Sequence, residues 1–375
     1  MSWSTADTPP DETRTLRRAG NLRVGILLGV LYHFIGGFAC GSFYLPFKKV
    51  RQWSWESYWI IGGFFSWALA PWLAAALTVP DYARIIADTP GTTLFWTYLM
   101  GVLWGIGGLT FGLAMRYLGI SLGMSVALGF CSAFGALIPP IYRDLVGIPG
   151  VTFSGMFNTP GGELVLIGVL VCLFGIALCG HAGMRKEREL SERQKRAAIQ
   201  EFNLPLGLAV ATFSGILSAC FNFGIEAGAP MAQLAVARGN NPLFQTNVIY
   251  VVLLWGGLTT NLIWCIILNA RNRSFSDYTN RKTPLANNYL FAAIAGTTWF
   301  LQFFFYGMGA SKLTNGPSSW ILHMAFIIVV SNLWGLLFKE WQGVTRTTLR
   351  TQLLGIATIL VSVGLVGYGN SLIVR

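Results

Sequence analysis

The sequence is short of charge. Only 11% of its residues are Asp, Glu, Lys or Arg, whereas a soluble domain carries about a quarter. That shortage excludes a water-facing surface over most of the chain. Histidine is scarcer still, with three among 375 residues. No paired carboxylates and no His/Asp cluster stand at a spacing suited to hydrolysis, which argues against a membrane enzyme acting on lipid or glycan. The six cysteines (Cys40, Cys131, Cys172, Cys179, Cys220, Cys265) all lie in apolar stretches and form no CxxC pair. Neither a disulfide framework nor a zinc site is indicated, and they read as small apolar packing residues. No ATP-binding motif is present, and no cofactor or metal is expected. Long charged segments are lacking apart from residues 182–203, which leaves little room for a receptor or scaffold domain.

What the sequence has is apolar length. Hydrophobic residues make up 54% of it and its mean hydropathy is +0.56. A bilayer core about 30 Å thick needs about 20 apolar residues per helix. Ten such runs follow one another, at 22–46, 55–79, 92–115, 120–141, 162–181, 204–229, 246–269, 288–311, 317–338 and 350–373. The pattern predicts an all-α polytopic membrane protein with ten transmembrane helices. Residues 1–21 are polar and contain Asp7, Asp11 and Glu12; they read as a disordered tail rather than a signal peptide.

The net charge of +11 points to the lipid surface rather than to nucleic acid, because it is unevenly distributed. Odd-numbered connections hold clusters such as Lys48, Lys49 and Arg51, or Arg185, Lys186 and Arg188. Even-numbered ones hold single residues, Arg84, Arg143, Arg238 and Lys312. The positive-inside rule therefore puts the odd connections in the cytoplasm and both termini outside, although Arg14, Arg17, Arg18 and Arg23 pull the other way. Glu56 is expected to balance the basic cluster beside it, and Trp53 and Trp55 to anchor at the headgroups.

The segment 182–203 divides the chain into halves of five runs, 22–181 and 204–375, and reads as a charged cytoplasmic linker. With an odd number of spans in each half, any structural repeat has to be inverted in the membrane. Short matches support one: Trp104 followed by Phe111-Gly112, and Trp299 followed by Tyr306-Gly307, at the same distances. Inverted halves around a midplane site are a common plan for secondary transporters.

Polar groups inside these runs are the candidates for function, since lipid offers them no water. Trp299, Gln302 and Tyr306 share one face of the eighth run, and Trp320 and His323 one face of the ninth. His33 lies near the middle of the first run, one turn before Gly36 and Gly37. Ser214, Ser218, Asn222 and Glu226 form a stripe at i+4 spacing in the sixth. A sugar offers C–H faces and a rim of hydroxyls, so a sugar site needs aromatic faces and a few hydrogen-bonding groups. Trp299, Gln302, Tyr306, Trp320, His323, His33 and Asn222 supply both. The ordinary alternative is that the aromatics only pack and the polar groups only tie helices together. Coupling to protons needs a group that titrates near neutrality. His323 and His33 rank ahead of Glu226, which lies near the outer end of its run, where a carboxylate is equally an interfacial residue.

Taken together, FYLPFKKVRQWSWES, LWGIGGLTFGLAMRYLGISLGMSVALG, EFNLPLGLAV, WFLQFFFYGMG and SSWILHMAFIIVVSNLWGLLFKEW resemble the L-rhamnose–proton symporter family of the drug/metabolite transporter superfamily. The segments recur in order from about residue 25 to 370. The resemblance implies two inverted five-helix halves in a bacterial inner membrane and uptake of L-rhamnose, or a related deoxyhexose, with a proton by alternating access. The same architecture carrying another sugar, or exporting a metabolite, is the nearest alternative. The chain departs from the family pattern in its long polar N-terminal tail, in a short break before Trp320 without an acidic residue, and in the carboxylate at Glu226.

Overall fold

The structure is a computed structural model that describes residues 12–118, 120–189, 203–313, 315–338 and 341–373. Among these residues there are helices and turns but no strands. Ten helices are long and apolar enough to cross a membrane. They are α1 (Glu12–Ser42), α2 (Trp55–Thr78), α3 (Gly91–Leu118), α4 (Ile120–Val146) and α5 (Pro160–Glu189) in the first half. In the second half they are α6 (Leu204–Ala227), α7 (Asn247–Asn272), α8 (Leu285–Ala310), α9 (Gly316–Leu337) and α10 (Arg346–Ile373). Their outward faces are lined with exposed Leu, Ile, Phe and Trp, as expected of a surface whose solvent is hydrocarbon.

The ends of several helices differ from the apolar runs. Helix α1 begins at Glu12, inside the stretch read as a tail, while residues 1–11 lie outside the described residues. Helix α5 carries on through the first charges of the central segment to Glu189, and residues 190–202 lie outside the described residues. Helix α4 passes through Pro139 and Pro140 to Val146, so Arg143 and Asp144 are helical rather than in a loop. Asp144 then accepts from the backbone N–H and hydroxyl of Ser154, both at 2.7 Å, and holds the short helix Phe153–Phe157 in place.

Packing runs between the halves more than within them. Helix α3 lies against α6 and α7, α1 against α8 and α9, α2 against α7 and α8, and α5 against α10. Glycine sets the closest approaches. A Cβ on Gly101 of α3 would stand 1.9 Å from the Leu253 carbonyl oxygen, and one on Gly256 of α7 would stand 2.2 Å from that of Tyr98. A Cβ on Gly296 of α8 would stand 2.0 Å from the Gly62 carbonyl oxygen of α2. No larger residue fits at these crossings, which pack as small-residue interfaces do in membranes.

At the end of the bundle that carries Lys48 and Arg51, Glu56 is buried and accepts from Asn272 Nδ2 at 3.0 Å and Ser274 Oγ at 2.6 Å. Among the described residues it forms no ion pair, which corrects the expectation that it balances the lysines. It sits at the first turn of α2, facing the α7–α8 connection, while Lys48 lies over the Phe338 ring at 4.6 Å. Trp53 is buried between Tyr278 and Tyr289.

Candidate functional site

Two histidines from opposite halves meet in the interior. His33 is carried by α1 and His323 by α9, at 0% and 3% exposure. Their ring centroids are 6.1 Å apart. Tyr306 of α8 lies edge-on to both, at 5.3 Å from His33 and 5.1 Å from His323. Trp320 closes the group at 6.0 Å from Tyr306. The approach depends on missing side chains: a Cβ on Gly309 would stand 2.7 Å from His33 Nε2, and one on Gly36 would stand 3.2 Å from His323 Cε1. The Gly36 position of α1, noted in the sequence for close packing, thus faces this group.

Some members are anchored and some are not. The Tyr306 hydroxyl donates to Asn222 Oδ1 at 3.1 Å, and Asn222 Nδ2 donates to the Gly135 carbonyl at 2.8 Å. Trp320 Nε1 donates to the Cys131 carbonyl at 3.0 Å. By contrast, both nitrogens of His33, Nδ1 of His323 and Nε2 of Gln302 are buried without a hydrogen-bond partner. An unpartnered buried polar group costs about 1–3 kcal/mol. Four such nitrogens on α1, α8 and α9 mark a place equipped to hold a polar guest.

The sequence had grouped Trp299 with these residues, and the structure places it apart. Seven residues along α8 from Tyr306, it lies roughly 10 Å further down the axis at a rise of about 1.5 Å per residue. There it stacks on Phe43 at 4.5 Å and faces Trp59 at 5.2 Å, Trp67 at 5.4 Å and Trp104 at 6.4 Å. Gln302 stands between the two tiers and contacts Cys40 of α1. On the other side Phe303 lies 5.8 Å from Trp104 and 4.4 Å from Phe221. Trp59 and Trp67 do not stand out in the sequence. Their spacing in a uniformly apolar run gives no signal, and only the tertiary fold brings them to Trp299.

The stripe on α6 also divides. Ser214 donates to the Gly107 carbonyl of α3 at 2.8 Å and so ties two helices together. Asn222 reaches the central group, and Glu226, one turn on, pairs with Arg143 of α4. Both side chains of that pair are mostly covered, at 19% and 31% exposure. Gly316, the first residue of α9, lies beside the carboxylate, with a would-be Cβ 3.5 Å from Glu226 Oε1. Arg143 lies beyond the end of its apolar run, so the sequence pattern alone places it in a loop. Among the described residues no group of three His, Cys, Asp or Glu could hold a metal ion.

Residues 22–372 match the model of the L-rhamnose-proton symport protein family. The chain belongs to this family. It is 40% identical over 349 residues to an L-rhamnose-proton symporter of Pectobacterium atrosepticum, an alignment covering 92% of this chain and 98% of that one. The symporter of Pectobacterium carotovorum is likewise 40% identical with the same coverage. That of Yersinia pestis is 38% identical over 349 residues, again covering 92% and 98%. The family is one of multi-pass membrane transporters, not of enzymes.

Proposed function

We propose that the chain imports L-rhamnose, or a related deoxyhexose, together with a proton, across a bacterial inner membrane. The observation that carries this is the group of unpartnered nitrogens on His33, His323 and Gln302, enclosed between α1 of one half and α8 and α9 of the other. A pyranose has hydroxyls to satisfy them, and the aromatic tier at Trp299 matches its C–H faces and methyl group. In this reading Trp299, Gln302, Tyr306, Trp320, His33, His323 and Asn222 contact the sugar. The histidines carry the proton, His323 foremost, because imidazole is the side chain suited to proton exchange near neutral pH and both are buried at the seam between the halves. Two protons there would place like charges about 6 Å apart in a low dielectric, which favours one proton per sugar.

Alternating access follows from two inverted halves, and the packing supports that plan. Exchanging each helix of one half for its counterpart in the other turns the α3–α6 contact into α8–α1, α4–α6 into α9–α1, and α3–α7 into α8–α2. All of these contacts occur. The exchange also maps Gly101 and Trp104 onto Gly296 and Trp299, which have the same spacing. The Arg143–Glu226 pair joins α4 to α6 at the end of the bundle away from Lys48 and Arg51, where it would have to open for sugar to enter. The positive-inside rule makes that end periplasmic, with both termini on the same side. Each proton moving down 100 mV supplies about 2.3 kcal/mol, and at about 1.4 kcal/mol per decade this sustains a sugar gradient of some tens-fold.

The experiment is proton flux in proteoliposomes without a membrane potential. Adding L-rhamnose should alkalinise the outer medium, and a panel of hexoses and deoxyhexoses should rank below it. Absence of alkalinisation with every sugar overturns symport.

A further inference from the structure

Helix α2 leaves α geometry at one place. Residues Phe64–Leu69 (FFSWAL) form a π turn, a widened geometry that is rare and gathers at functional sites. The wider turn rotates everything after it relative to an unbroken α-helix, so it decides which of these side chains faces the bundle interior. Trp67 is the one that meets the aromatic tier. It is 1% exposed and lies edge-on to Trp299 at 5.4 Å, Trp104 at 6.2 Å and Trp59 at 6.1 Å. Its ring folds back over Gly63, where a Cβ would stand 2.3 Å from Trp67 Cζ3.

The Nε1–H of Trp67 has no acceptor, and the hydroxyl of Ser66 in the same turn is likewise buried and unpartnered. Buried indole N–H groups usually find a partner, and others in this bundle do. Trp59 Nε1 donates to Asn261 Oδ1 at 2.9 Å, Trp320 to the Cys131 carbonyl at 3.0 Å and Trp334 to Ser42 Oγ at 2.9 Å. Among the described residues Trp53 and Trp67 are the exceptions; Trp53 lies between Tyr278 and Tyr289 at the end of the bundle, whereas Trp67 stands where the site would otherwise have only aromatic faces. Aromatic faces hold any pyranose. A directed donor among them distinguishes one hydroxyl pattern from another.

We propose that Trp67, presented by the π turn of α2, is a specificity-determining residue of the sugar site. Its N–H, directed in the plane of a ring set edge-on to Trp104 and Trp299, donates to one ring hydroxyl of a sugar whose C–H side rests on the aromatic tier. This rests on the sugar-transport reading above.

Uptake by full-length wild type and Trp67→Phe is compared with L-rhamnose and its monodeoxy analogues. Phenylalanine keeps an aromatic face and removes the donor. Wild type should take one monodeoxy analogue with KM raised about tenfold or more, the equivalent of one lost hydrogen bond. In Trp67→Phe, KM for L-rhamnose should rise to match that analogue, so that the two sugars become indistinguishable. A purely structural role would lower the ligand-free Tm and leave the discrimination intact. A wild-type measurement guards against a variant that does not fold: photolabelling with a diazirine derivative of L-rhamnose should place a competable adduct within residues 59–69. Undiminished discrimination in Trp67→Phe, or adducts confined to α8 and α9, overturns the role of Trp67 alone. Wild type that takes up no sugar overturns the transport reading and this role with it.

Discussion

His33 and His323, one from each half of the chain, face each other at 6.1 Å with their rings inclined by 61°. Among the described residues neither ring is paired with a carboxylate, and both are shut away from water. In the proposed mechanism these two titratable groups, one on each half of the chain, are the coupling point. A proton on either changes the free energy of holding the halves together.

His323→Asn should therefore separate exchange from accumulation. Counterflow of labelled sugar between loaded vesicles should persist, while accumulation driven by a proton gradient should fall to the equilibrium level. Accumulation that survives moves the coupling role to His33 or Glu226.

Tyr306→Phe removes the donor from Asn222 Oδ1, a buried acceptor on α6. Stranding that group should cost about 1–3 kcal/mol. The Tm in detergent should fall, and sugar affinity with it, because Asn222 loses its fixed orientation. An unchanged affinity removes Tyr306 and Asn222 from the site.

Gln302→Ala and Trp299→Phe test the two tiers separately. Each should weaken sugar binding by about tenfold, the equivalent of about 1.4 kcal/mol. Trp299→Ala is the poorer probe, since truncating a packed tryptophan costs about 3–5 kcal/mol in the fold itself. Binding measured by thermal shift, with the ligand-free Tm as control, separates the two effects.

Glu226→Gln leaves Arg143 without its counter-charge between α4 and α6. The closure between α4 and α6 should loosen, and the thiol of Cys220, six residues back along α6, should react faster with a membrane-permeant maleimide. The double exchange Arg143→Glu with Glu226→Arg should slow the reaction again. Labelling that ignores both changes removes the pair from gating.

Glu189, at the end of α5, accepts from the Thr345 backbone N–H at 2.7 Å and from the Thr348 hydroxyl at 2.6 Å, beside the start of α10. The hydroxyl of Thr348, then the N–H of Thr345, hold its carboxyl below the ordinary value of 4.5. A depressed carboxyl contributes stability above its unfolded pKa and loses it as pH falls through the folded one. Wild type should therefore have the higher Tm relative to Glu189→Gln at pH 7, with the gap closing as pH falls below the ordinary carboxylate value and through the folded one. A gap that is constant with pH removes the charge from the interaction.

Much of the architecture was legible because lipid imposes it. A helix in hydrocarbon has to satisfy its own backbone and present apolar side chains over a fixed length. Ten runs therefore became ten helices, with differences only where charge or proline masked a continuation, as at Arg143 beyond Pro139 and Pro140. Individual polar residues such as His33, His323 and Gln302 were legible for the same reason, since each is costly in an apolar run.

Neighbours were not legible. Periodicity places Trp299 and Tyr306 on one face, yet one joins four aromatic rings and the other two histidines, because a face seven residues long spans two levels of the bundle. Glu56 was assigned to the nearest charges in sequence and instead met Asn272 and Ser274 from the other half. Trp67 carried no sequence signal at all, since a tryptophan in an apolar run is ordinary until its neighbours and its unpartnered N–H are seen. The sequence by itself determined how many helices cross the membrane and which side chains are out of place there, because transfer into lipid is a property of each segment alone. Only the tertiary structure decided which of those side chains meet, because close approach depends on glycines such as Gly36, Gly309 and Gly296 lying opposite bulk supplied from the other half of the chain.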